Sequence, residues 1–96
     1  YNPKIADSKE KTEEKGMETR VALIAVVVEK PDAVMPLNAL LHEYSRYIIG
    51  RMGIPYHVKK LSLISIAMDA PQDVISALSG KLGMLDGVSI KTAYSK

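Results

Sequence analysis

The run Val21-Ala22-Leu23-Ile24-Ala25-Val26-Val27-Val28 is apolar without a break, β-branched at five of its eight positions, and bounded by Arg20 and Glu29. A strand sends alternate side chains to opposite faces, and both alternating sets of this run are apolar, so both faces of its sheet need cover. The run therefore predicts a buried central strand. A chain of 96 residues has helix enough for one face only, so another copy is expected over the second face.

Lys30-Pro31-Asp32 breaks the run, with Asp32 placed to cap a helix and Pro36 tolerable in its first turn. Val34, Leu37, Leu41, Tyr44, Ile48 and Met52 then recur at intervals of three and four. That period predicts one helix running to about Arg51, ended by Gly53 and barred from resuming by Pro55. Ile54 to Val58 reads as a short second strand, Lys59-Lys60 as a turn or an edge, and Leu61 to Met68 as a third strand, again largely apolar on both parities. Asp69-Ala70-Pro71 opens a second helix with Val74, Ala77, Leu78 and Leu82 facing inward, and Gly83 closes it. After the Asp86-Gly87 turn, Val88 to Tyr94 alternates as a fourth strand with Lys91 at an exposed edge.

The order strand, helix, strand, strand, helix, strand predicts an α+β ferredoxin-like βαββαβ sandwich, a four-stranded antiparallel sheet with two helices on one face. Right-handed crossovers place the first and third strands in the middle. The opposite face stays apolar at Leu23, Ala25, Val27, Leu61 and Leu63, or at their alternates if the register is reversed. Sheet-to-sheet pairing into a homo-oligomer, dimer or tetramer, is the expected cover.

Residues 1–18 carry alternating charge and almost no apolar side chain, so they read as a disordered tail, with a short exposed helix from Asp7 to Lys15 as the alternative. Met17 leads directly into the first strand as a natural start would, which makes the first sixteen residues an expected leader or upstream extension. Residues 19–96 form the expected domain.

Composition removes several functions. A net charge of +2 from scattered Lys and Arg is a poor footprint for direct nucleic-acid binding. The chain has no Cys, which excludes disulfides, thiolate catalysis and zinc-thiolate sites. The longest apolar run is far short of the ~20 residues that cross a bilayer, and no signal peptide is evident, so no membrane partner and a cytoplasmic location are expected.

Leu40-Leu41-His42-Glu43-Tyr44, the run from Ile48 through Gly50-Arg51-Met52-Gly53-Ile54-Pro55-Tyr56, and Ala77 to Gly83 with Gly87 to Thr92 together resemble the family of iron-only hydrogenase system regulators. That family is similar in fold to the C-terminal effector domain of nickel-responsive regulators and, more loosely, to ACT domains. The resemblance implies a bacterial, oligomeric, ligand-sensing or regulatory module connected with iron-iron hydrogenase genes. The nickel-regulator pattern of a His-X-His pair, a Cys and a neighbouring subunit's His is not met, because His57 stands alone in His57-Val58-Lys59. The polar segment before Arg20 is likewise too short and too polar for a ribbon-helix-helix half.

Chemistry-bearing residues are few. His42 and His57, with Glu43, offer a metal site only if assembled between subunits, since such sites want three or four ligands. Ser79-Gly80-Lys81 fails as a phosphate loop, because Ile75 stands where a glycine is needed and Leu82 follows the lysine. Tyr47 and Arg51 read as a surface cation-aromatic pair. RNA binding on the sheet would need aromatics on the central strands, and Val21 to Val28 and Leu61 to Met68 hold none. Ser45 near His42 lacks the third group and oxyanion site of a nucleophile arrangement. The sequence thus predicts a non-enzymatic module with no cofactor, binding a small ligand between subunits near Arg51, Tyr56 and His57. A metal sensor using His42 and His57, or a structural subunit docking on a hydrogenase-related protein, are the other readings.

Overall fold

The computed structural model describes residues 18–95. The expected tail at 1–18 lies outside the described residues apart from Glu18. Two long strands form the middle of the sheet, β1 (Arg20–Val28) and β3 (Leu61–Ala70), flanked by β2 (Ile48–Tyr56) and β4 (Val88–Tyr94). The order is β2-β3-β1-β4, antiparallel at every step. Helices α1 (Val34–Glu43) and α2 (Gln72–Gly83) cover one face, the ferredoxin-like arrangement.

Register explains which residues make the core. Ile24 pairs with Ile66 on one side and Thr92 on the other, so one parity of each strand points at the helices. Ala22, Ile24, Val26, Val28, Ile66, Met68 and Ala70 from the sheet meet Leu37 and Leu41 of α1 and Ile75, Leu78 and Leu82 of α2. All are buried. In α2 the inward spacing is 75, 78 and 82; Ala77, expected inside, is exposed and Ile75 takes its place.

The largest departure from expectation is the first helix. It stops at Glu43, Tyr44 leaves the helical region at φ −100° and ψ 13°, a 3-10 turn covers Ser45–Tyr47, and β2 begins at Ile48. Ile48 and Ile49 are β-branched, and Gly50 and Gly53 follow within a turn, so the segment is a poor helix former. Alongside β3 it gains a ladder of backbone hydrogen bonds that a helix there would not improve upon. Gly53 therefore ends no helix, Met52 lies at a sheet position 62% exposed, and the short strand expected at Ile54 to Val58 is instead the end of a longer one. Asp32 does not cap α1: it sits in a 3-10 turn, Pro31–Ala33, and Ala33 holds the cap position without a side-chain bond. Val34, which opens the helical period read from the sequence, is 37% exposed.

Candidate functional site

The uncovered face of the sheet is built by the parity opposite to the core. β1 contributes Val21, Leu23, Ala25 and Val27; β3 contributes Leu61, Leu63, Ser65, Ala67 and Asp69. Met52, Ile54 and Tyr56 of β2 pair with residues of that β3 set, and Ser89, Lys91 and Ala93 of β4 with that of β1. Leu23 is 47% exposed, Ile54 53% and Leu63 40%, values that belong to apolar side chains with none of the described residues over them. Only Lys91 and Asp69 bring charge to these positions. A bulge at Ile49 shifts the register between Ile48 and Gly50. There the small residues Gly50, Ser65 and Ala67 leave a hollow of about 230 Å³ against Leu23 and Met52.

A second feature lies at the end of the sheet where β1 finishes and β3 starts. The 3-10 turn His57–Lys59 and Lys60, whose backbone is left-handed at φ 56° and ψ 41°, carry the chain from β2 to β3. This turn and the Lys30-Pro31 bend enclose an open-sided cavity of about 310 Å³. Val28, Val34, Pro55 and Leu61 give it apolar walls, and Lys30, His57, Lys60 and Ser62 give it a polar rim. Beside it, Lys30 Nζ donates to Asp86 Oδ2 at 2.7 Å. That hydrogen bond holds Asp86 below the usual carboxylate range and Lys30 above the usual lysine value. Lys81 is also raised, chiefly by Tyr44. All three are exposed surface partners, so none is a buried group tuned for proton transfer.

The residues expected to bind ligand do not converge. Arg51 points to the helix side, where its Nη2 donates to Asn38 Oδ1 at 3.0 Å. It makes no pair with Tyr47, over whose ring Arg46 sits instead at 5.2 Å. Tyr56 faces the open side of the sheet through its pairing with Leu61, and His57 lines the end cavity. The stretch from Arg51 to Tyr56 is extended strand; among the described glycines only Gly87 has positive φ. His42 is exposed in the last turn of α1. It stands eight residues, about 12 Å of helix rise, beyond Val34, which shares the cavity with His57. One chain therefore does not unite the two histidines. Among the described residues no cluster of three or more His, Cys, Asp or Glu could hold a metal ion, and no helix is long and apolar enough to cross a membrane. The pocket residues Lys30, Lys60 and Pro55 escape sequence reasoning because the β2–β3 turn and the β1–α1 bend meet only in three dimensions.

With this geometry in view, residues 20–92 match the TM1266-like family, whose description reads "Iron-only hydrogenase system regulator, putative". The chain belongs to this family. It is similar to the solved "uncharacterized protein TM1266 from Thermotoga maritima", with 36% identity and a TM-score of 0.79 over 82% of this chain and all of that one. A formyltetrahydrofolate deformylase from Pseudomonas putida KT2440 shares the fold alone, at 10% identity and a TM-score of 0.56, over 76% of this chain and 28% of that one. No curated protein matches. The family match agrees with the resemblance carried by the segment from Ile48 to Tyr56, although those residues form a strand where a helix and loop were expected.

Proposed function

We propose that the protein is a non-enzymatic regulatory module that works as a homo-oligomer, its copies joined sheet to sheet, and that it responds to a small ligand. The observation that carries this reading is the bare apolar face of the sheet. Strand spacing and rise make it a footprint of about 400 Å², comparable with the largest apolar patches that monomers tolerate. Its charge favours a second copy over other occupants. Lys91 and Asp69 cancel, so the face offers no net positive field for nucleic acid or an acidic membrane, while an apolar surface with one charge of each sign can meet its own two-fold mate. The family description supplies the regulatory role.

The metal-sensor reading has less behind it, because His42 and His57 sit far apart and each would need ligands from another chain. Titration with nickel, iron or zinc separates the two readings: heat that disappears in His42→Ala would favour the sensor. The assembly itself is tested by light scattering on a sizing column. Wild-type protein should elute at the mass of a dimer or larger, and Leu23→Asp, altered at the centre of the open face and away from the core, should elute as one chain with its circular dichroism kept. A monomeric wild type across working concentrations would end the proposal.

A further inference from the structure

The cavity at the end of the sheet has a chemistry that the open face lacks. Its volume of about 310 Å³ falls at the lower end of small-molecule sites, which begin near ~300 Å³. Among the described residues no carboxylate lines it, whereas Lys30, His57 and Lys60 do, and Val28, Val34, Pro55 and Leu61 form its apolar side. Asp86, the partner of Lys30, lines the neighbouring hollow instead.

Lys60 is the informative residue. Its left-handed backbone is a conformation that glycine adopts freely and side-chain-bearing residues resist. Its N–H donates to the His57 carbonyl at 3.2 Å, closing the turn in that strained form. A glycine would make the same turn with less strain but would remove a cation from the rim. Strain retained at a cavity marks a position where the side chain has a use.

We propose that this cavity binds a small carboxylate carrying a short apolar body, its carboxylate met by Lys60 and His57 and its body lying against Val34, Pro55 and Leu61. The inference takes its purpose from the ligand-responsive reading above, but the site is complete within one chain and does not depend on assembly.

The test is a titration of the full chain with 3-methylbutanoate, followed by backbone amide NMR shifts, with 3-methylbutanamide and inorganic phosphate as parallel probes. The carboxylate should give saturating shifts confined to His57–Ser62 and Lys30–Val34. Lys60→Gly should unfold at a temperature no lower than wild type yet bind about tenfold more weakly or worse, since one charge-assisted contact is gone. The amide should leave the spectrum unchanged. Equal shifts from the amide, shifts from phosphate alone, a response scattered over the surface, or undiminished binding by Lys60→Gly would each overturn the site. Light scattering on the same samples keeps the two ideas apart: an oligomer without binding removes only this inference, and binding by a monomer removes only the assembly.

Discussion

Gly87 shows how one position can be constrained from two directions. Its φ is +82°, and a Cβ built there would stand 2.6 Å from both Cβ and Cγ of Lys30. Its carbonyl also accepts from the Glu29 N–H at 2.7 Å, fastening the α2–β4 turn to the end of β1. Gly87→Ala should therefore cost about 1–3 kcal/mol, from backbone strain plus the clash; a urea midpoint equal to wild type would contradict it. The adjacent Lys30–Asp86 pair gives a pH signature. Asp86 titrates below its ordinary value of 3.8 when folded, so its stabilisation is complete above that pH and is lost as pH falls through the depressed value. Lys30 titrates above 10.5, so its share is present below that pH and is lost as pH rises through the elevated value. Thermal melts of wild type and Asp86→Asn should differ by a small constant amount from about pH 5 to 9 and converge in strong acid. Both side chains are exposed, and salt should shrink the gap.

At the scale of elements, the sheet is legible where burial dictates the side chains and illegible where it does not. β1 and β3 are apolar on both parities because they are central, and α2 and β4 are bracketed by turn residues at Pro71, Gly83 and Gly87. β2 is an edge strand, so one side of its ladder is free and no burial pattern announces it: nearly all its residues are exposed. Its Ile48 and Met52 happen to continue the helical spacing of Leu37 and Leu41, and a period count cannot see the vacant edge of β3 that claims them. Pro55 and the bulge at Ile49 then limit further pairing on the outer edge. The central pairing carries the stability. Ile66, fully buried opposite Ile24, should cost about 2–5 kcal/mol when changed to Ala. Chemical denaturation would register that loss, and a change under 1 kcal/mol would mean that the core collapses around the gap.

For the whole molecule, the asymmetry between the two sheet faces is the governing fact. Leu37, Leu41, Ile75, Leu78 and Leu82 seal one side, while Leu23, Leu63, Met52 and Ile54 lie bare on the other. If copies associate through that side, folding is linked to association, and the melting temperature should rise with protein concentration. Leu23→Asp should abolish that dependence; a melting temperature independent of concentration in wild type would argue against any assembly.

The candidate site divides the same way. His57 can be picked from the chain because imidazoles are scarce, but its partners Lys30 and Lys60 come from two bends that only the β1–β3 register brings together, and Arg51 leaves the group because strand alternation turns it toward Asn38. By itself the sequence determined the element order, the central strands and the doubly apolar sheet, since burial and alternation act residue by residue along the chain. Only the tertiary structure decided where α1 gives way to β2, which face stays open and which side chains share a cavity, because hydrogen-bond partners and neighbours across strands are distant in sequence.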